Sequence, residues 1–386
     1  RHTRRDLEAA HSTWGERFRQ ENRTTVTRRQ RTPERKLTIG YLSPDFRNHP
    51  AASFLEPVLR HHDRNRFTIH CYSQTIENDW RTDRFKTLAD KWCTVEHLDD
   101  ATLTDLIQSH GIDILIDSAG HLCGNRLGVF SRRAAPLQIG GIGYPGLRGL
   151  ETIDYRISDP LIDPPTEETG STEIPLRIAP CFCCWQPPEN LPPVTPLPAL
   201  HNGFITFGSL HTTARLNEPV INLWCELLRT IPDAQLLLCR TTLSASVIKR
   251  LSGYFSRNGI SLSRIIFKTN IPPEGHLTVY NEIDIALDTL PWSGHTTSCE
   301  SLIMGVPVLS LYGDRPAGRM VASVLTAAGL ESWVARSPEE YIIRGSWNHR
   351  ELSVLRLQLR DQVLNSRLCN TETYTATLED ALMKLC

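Results

Sequence analysis

The order of apolar segments in this sequence predicts an α/β protein of two Rossmann-like domains facing a cleft, on three observations. At 386 residues the chain exceeds the size at which one hydrophobic core keeps growing. Short, β-rich apolar runs alternate with longer segments of helical period, the pattern of parallel sheets with helices on both faces. Residues 186–198 hold six of the chain's 25 prolines, a density that gives a stiff, extended linker and divides the alternating series in two.

In chain order, residues 1–36 hold ten Arg and one Lys against five acids. Leu7, Trp14 and Phe18 are spaced as on a helix, so the stretch reads as a solvated helical connector rather than a nucleic-acid arm. The first domain, 37–190, has expected strands at 37–42, 67–72 and 112–117 and helices at 52–59 and 102–109. The second, 191–386, has strands at 204–207, 235–239, 265–267, 283–287 and 306–311. Its helices are expected at 219–230, 243–255, 299–304, 317–328 and 351–365. In open parallel sheets ligands sit at the carboxyl ends of strands, so functional loops are sought there.

Composition narrows the function. Lys plus Arg (42) nearly cancels Asp plus Glu (43), which argues against a dominant nucleic-acid or membrane-surface field. No run approaches the roughly 18 apolar residues of a membrane span and no signal-peptide pattern opens the chain, so a cytoplasmic protein is expected. A start at Arg1 without Met reads as a fragment of something longer. Eleven scattered cysteines fit reduced thiols; the cluster Cys181, Cys183 and Cys184 lacks a second pair at zinc spacing, and no metal site is expected.

Four loops carry chemistry. Ser43-Pro44-Asp45-Phe46-Arg47-Asn48-His49-Pro50 delivers His49 to a strand end, as a proton acceptor for a hydroxyl or as a loop histidine capping a helix. Asp117-Ser118-Ala119-Gly120-His121 and Gly140-Gly141-Ile142-Gly143-Tyr144-Pro145-Gly146 offer backbone N–H groups with little side-chain bulk, either for a sugar or phosphate oxygen or merely to turn tightly. Asp288-Thr289-Leu290-Pro291-Trp292-Ser293-Gly294-His295-Thr296-Thr297-Ser298-Cys299-Glu300 ends a strand and opens a helix, whose free N–H groups and positive dipole end form an anion site that a diphosphate fits without a metal. No Asp-x-Asp pair supplies a metal–nucleotide clamp. Glu300 either closes a capping box with Thr297 or accepts ribose hydroxyls. Arg215, in the loop after strand 204–207, is a bidentate diphosphate partner or a solvated surface residue.

At these residues the sequence resembles the catalytic region of the O-linked N-acetylglucosamine transferase family, including its plant Spindly-type and bacterial members. The likeness runs from about Leu37 onward. It is carried by Gly40-Tyr41-Leu42-Ser43-Pro44-Asp45-Phe46 with Asn48-His49-Pro50, and by Ala135-Pro136-Leu137-Gln138. Gly143-Tyr144-Pro145-Gly146 with Asp154-Tyr155, Gly294-His295-Thr296-Thr297, and Gly305-Val306-Pro307-Val308 complete it. The resemblance implies a glycosyltransferase B fold, inversion at the anomeric carbon, no metal and no cofactor, and tetratricopeptide repeats upstream. It implies an acceptor-side first domain and a nucleotide-sugar-binding second one. His49 matches a cleft histidine proposed as base, Ile142, Gly143, Tyr144 and Pro145 the donor-sugar loop, and Gly294, His295, Thr296 and Thr297 the pyrophosphate loop. Glu300 matches an acidic ribose ligand and His276 a histidine beside the uracil. Three departures stand out: Arg215 where the family has an essential lysine, Thr212 where it has Gln or Asn, and Leu147-Arg148 in place of small residues. The expected activity is transfer of GlcNAc from UDP-GlcNAc to Ser or Thr of a protein acceptor. The alternatives are O-fucosylation from GDP-fucose, as in Spindly-type relatives, or nucleotide-sugar binding without turnover.

Overall fold

A computed structural model describes residues 3–18, 35–167 and 171–386. The chain divides into two compact units: Arg1–Gln186 with Asn370–Cys386, and Pro187–Cys369. Among the described residues no helix is long and apolar enough to cross a membrane.

The first unit's strands are β1 (Leu37–Ser43), β2 (Phe67–Ser73), β3 (Lys91–Thr94), β4 (Ile114–Asp117), β5 (Leu137–Gly140), β6 (Tyr155–Ser158) and β7 (Ile174–Arg177), paired in the order β3-β2-β1-β4-β5-β6-β7. The ladders are parallel. Such strands are apolar on both faces because helices cover both. Along β1 and β4, Ile39, Tyr41, Ile114 and Ile116 enter one core while Leu42 and Leu115 enter the other. Gly40 is needed in β1 because a Cβ there would already lie 3.0 Å from Leu115 and 3.2 Å from Ile112.

The second unit repeats the plan. Its strands are β8 (Thr206–Ser209), β9 (Gln235–Cys239), β10 (Ile265–Lys268), β11 (Ile285–Leu287), β12 (Val308–Leu311) and β13 (Val334–Ala335), ordered β10-β9-β8-β11-β12-β13 and parallel. In both sheets the order reverses between the first and fourth strands, β1 and β4 in one and β8 and β11 in the other. That switch point is where an open α/β sheet receives ligands.

Several elements differ from the sequence expectation. β3 is a partly exposed edge strand, and β5 and β6 are masked by buried polar residues. Gln138 of β5 donates to the carbonyls of Phe130 and Thr152 at 2.8 Å, and Arg156 of β6 pairs with Asp163. The helix Thr371–Leu385 was not anticipated, and with it residues 370–386 leave the expected second domain. Tyr374, Leu378 and Leu382 fill the first unit's core, and Glu379 accepts from His62 Nδ1 at 2.8 Å while Tyr41 meets His62 Nε2 at 2.7 Å.

The amino-terminal segment is also no solvated connector where it is described; residues 19–34 of that expectation lie outside the described residues. The helix Arg4–Gly15 is capped by Thr3 and lies flat on the first unit, with Trp14 and Phe18 packed on its core. Contact is so close that a Cβ on Gly149 would fall 2.1 Å from the carbonyl oxygen of His11. The proline-rich segment is held to the second unit by arginines that take up its exposed carbonyls: Arg356 Nε donates to Thr195 at 2.7 Å and Arg360 Nη2 to Pro192 at 2.6 Å.

Candidate functional site

In the second unit, the loops leaving β8 and β11 meet at the switch point. Asp288, directly after β11, is the hub. Its carboxylate accepts from the N–H of Gly294 and from the hydroxyl of Ser310, each at 2.7 Å, and lies 3.5 Å from His211 Nε2. His211 is fully enclosed, and burial, its largest influence, holds its imidazole below the usual range, with Arg215 and Arg240 acting in the same sense. Its ring leaves no room for a side chain at 294, since a Cβ there would overlap Nε2 at 1.7 Å. Gly294 therefore ends the turn and caps the helix His295–Ile303 without a side-chain bond.

The N–H of His295 donates to the carbonyl of Ser293 at 3.2 Å, and those of Thr296 and Thr297 remain as donors beside the positive end of the helix dipole. Thr296 and Thr297 sit in this first turn, with Tyr280 donating its hydroxyl to the carbonyl of Thr297 at 3.0 Å. His295 is pulled down to about 3 by burial and by the charge of Arg215, so at neutral pH it is an uncharged donor or acceptor. Arg215 ends a short 3-10 turn after β8. Its Nη1 donates to the carbonyl of Ser293 at 2.8 Å and its guanidinium lies 5.8 Å from the Trp292 ring centre. It is thus not a solvated surface residue but is fixed on the residue before the helix cap. Thr212 is exposed at the mouth of the same turn.

Glu300 does not close a capping box, because the helix begins two residues before Thr297 and Gly294 is the cap. Its carboxylate instead lies 3.0 Å from His276 Nε2, and that bond is the largest influence raising the His276 pKa. The structure therefore joins two residues, 24 apart in sequence, that the resemblance assigned to neighbouring parts of one nucleoside.

In the first unit the loops after β1, β4 and β5 interlock. Loop 43–50 is tied down by Asn48, whose N–H donates to Asp79 at 2.6 Å. His49 Nδ1 lies 3.2 Å from the N–H of Ala51 and 3.3 Å from Asp45. The same nitrogen therefore caps the helix start or, when protonated, pairs with the carboxylate, and the second state leaves Nε2 as the basic nitrogen. Burial raises Asp45 and lowers His49, bringing the two titrations together.

Gly120, at φ +54°, and Gly143 permit the packing of the other two loops: Cβ atoms there would strike Tyr144 at 2.4 Å and the carbonyl of Ser118 at 1.9 Å. Arg148, which stands where the resemblance implies a small residue, is turned inward. Its Nε donates to Asp117 at 2.8 Å and its other nitrogens to the carbonyls of Gly146 and Gly141 at 3.0 and 3.2 Å. Asp117 in turn accepts from the N–H groups of Ala119 and Gly120 at 3.0 and 2.9 Å. Leu147 is likewise buried. Tyr144 is engaged within this unit, its hydroxyl 2.9 Å from His11 Nε2; Ile142 packs against the core and Pro145 is buried. Gly143 remains the residue of this loop whose backbone, not side chain, is at issue.

Sequence reasoning gave no role to Asp117, Arg148, His211, Asp288 or Arg240. For the aspartates a signal existed: Asp117 ends a buried strand and Asp288 directly follows one, where a carboxylate can collect the N–H groups of the turn. Among the described residues no cluster of three His, Cys, Asp or Glu is placed to hold a metal, and all eleven cysteines are thiols, seven of them buried.

Comparison with known proteins is consistent along the chain. The model of the family described as glycosyl transferase family 41 matches residues 14–173 and 198–378. The Arabidopsis thaliana protein named "Probable UDP-N-acetylglucosamine--peptide N-acetylglucosaminyltransferase SPINDLY" is 36% identical over 382 residues, covering 96% of this chain and 42% of that one. The Caenorhabditis elegans UDP-N-acetylglucosamine–peptide N-acetylglucosaminyltransferase is 22% identical over 471 residues, covering 90% of this chain and 40% of that one. Among solved structures, a mutant O-GlcNAc transferase from Thermobaculum terrenum superposes with a TM-score of 0.92 at 35% identity, covering 99% of this chain and 74% of that one. An Anabaena protein crystallised with UDP and glucose shares the fold alone, at a TM-score of 0.51 and 10% identity over 90% of this chain and all of that one. The chain spans about two fifths of the length of the curated relatives it matches, 42% for the first of them. With the glycosyltransferase B fold in place and the family model spanning both units, the chain belongs to glycosyl transferase family 41.

Proposed function

We propose that this chain is a glycosyltransferase that moves N-acetylglucosamine from UDP-N-acetylglucosamine to Ser or Thr hydroxyls of proteins, with inversion and without a divalent metal. The observation that carries the reading is the cationic constellation at the β8–β11 switch point, where Arg215 is fixed on the residue before the cap of a helix that has no side-chain cap bond. A guanidinium and a set of backbone N–H groups supply in fixed positions what a metal supplies elsewhere, charge stabilisation of a departing diphosphate. His276 and Glu300 take the nucleoside, Glu300 accepting a ribose hydroxyl. His49, held by Asp45 with Nε2 basic, takes the proton of the attacking hydroxyl. The names of the relatives, N-acetylglucosaminyltransferases acting on peptides, support the donor and the acceptor class.

Transfer of radiolabelled sugar to acceptor peptides tests the activity, and thermal shifts with UDP-GlcNAc, UDP-glucose and GDP-fucose rank the donors, since a tight ligand stabilises in proportion to RT ln(1 + [L]/Kd). Transfer should persist in EDTA. Loss of transfer in EDTA with recovery on adding magnesium would overturn the metal-free site, and a larger shift with GDP-fucose would replace the sugar assignment.

Glu300→Gln should fold normally, because Gly294 and not residue 297 caps its helix. A hydrogen bond to a charged group contributes about 1.5–3 kcal/mol, so UDP affinity should fall roughly tenfold to a hundredfold. Unchanged affinity by calorimetry would leave Glu300 with no role beyond holding His276.

A further inference from the structure

Arg240 stands one residue beyond β9, its backbone N–H donating to the carbonyl of Lys268 on β10 at 3.1 Å. On its other side β9 runs beside β8, with Ser209 opposite Leu238. Continuing that register by two residues sets Arg240 alongside His211, at the root of the Arg215 loop. The side chain is half-buried, and its Nε is shielded from solvent without a hydrogen-bond partner. Among the described residues no carboxylate or carbonyl accepts from its guanidinium.

The fully buried arginines behave differently. Arg148 pairs with Asp117, Arg156 with Asp163, and Arg356 donates to the carbonyls of Thr195 and Ile283 at 2.7 Å. Desolvated charges are ordinarily paired because an unpaired one loses its hydration with nothing in return. Arg240 is instead set among like charges. Its charge adds to burial in disfavouring the protonated forms of Arg215 and His211, and it opposes the rise that Glu300 produces in His276. The carboxylates nearby are committed: Asp288 to Gly294 and Ser310, Glu300 to His276. Two guanidiniums and a helix start thus converge on one set of strand ends with no carboxylate to spare.

We propose that Arg240 is a further donor-contacting residue, which binds an anionic oxygen of the nucleoside diphosphate from the β9 side while Arg215 and the helix start bind it from the β8–β11 side. The inference rests on the reading that the second unit holds the donor. It assigns to the free protein an electrostatic strain that the ligand relieves, which a merely structural arginine would not show.

The test uses the whole chain, with UDP and uridine titrated calorimetrically into the wild type, Arg240→Gln and Arg240→Lys, and thermal unfolding recorded without ligand. In Arg240→Gln, UDP affinity should fall by about tenfold or more while uridine affinity holds, and the ligand-free protein should melt at the same or a higher temperature. Arg240→Lys should recover part of the UDP affinity. Equal UDP affinity in wild type and Arg240→Gln would overturn the proposal and leave the donor reading intact. So would parallel losses for UDP and uridine with a lowered melting temperature, the mark of a structural arginine. A wild type that binds neither UDP nor uridine would overturn the donor reading, and the proposal with it.

Discussion

Replacement of Arg215 by alanine is expected to lower the rate of sugar transfer by about 10²–10³-fold, the usual cost of removing one preorganised donor to a developing charge. Donor affinity should fall less than turnover, because negative charge on the leaving diphosphate grows toward the transition state. The hydrogen bond from Arg215 to the carbonyl of Ser293 places the guanidinium where the helix begins, so its loss also frees the turn that sets the helix start. Arg215→Lys keeps the charge on a more compact ammonium and should keep activity if the lysine of the wider family works from the same loop. Single-turnover rates and UDP affinities for the three proteins decide the matter. Equal turnover for wild type and Arg215→Ala would remove this residue from the mechanism.

Arg148→Met should cost the first unit about 3–5 kcal/mol, the penalty of leaving one member of a buried ion pair without its partner. Arg148 and Asp117 expose only 1% and 2% of their side chains, so water cannot replace the lost guanidinium. The double variant Arg148→Met with Asp117→Leu removes both charges and should regain part of the loss. Urea unfolding, following the transition of the first unit, checks both. A loss within about 0.5 kcal/mol, the range of ordinary surface substitutions, would show that solvent reaches Asp117 after all.

What the sequence disclosed about the site follows from where the information lies. His49, Arg215 and the run from Gly294 to Thr297 were legible because each stands in a short polar loop directly after an apolar strand, where chemistry and punctuation share a few adjacent residues. Glu300 was singled out but given a local alternative, since a capping box needs only three residues of spacing, whereas its partner His276 comes from another loop. Arg148 was noticed only as a departure for the same reason. Its partner lies 31 residues away, and nothing near it in sequence says whether so large a side chain turns outward or in. Arg240 was invisible because its significance is the lack of a partner, a property of the folded neighbourhood only. The fold was legible in its central strands, where burial on both faces gives continuous apolar runs. β3 at the edge, and β5 and β6 with buried polar side chains, departed from that rule and were missed.

The helix Thr371–Leu385 sets the order in which the two units can be completed as the chain is synthesised. Tyr374, Leu378 and Leu382 belong to the first unit's core, yet they are synthesised after every residue of the second unit. Domains ordinarily fold in the order they emerge. Here the second unit is complete while the first still exposes the apolar face that this helix covers, so the nascent chain carries its half-closed half longest.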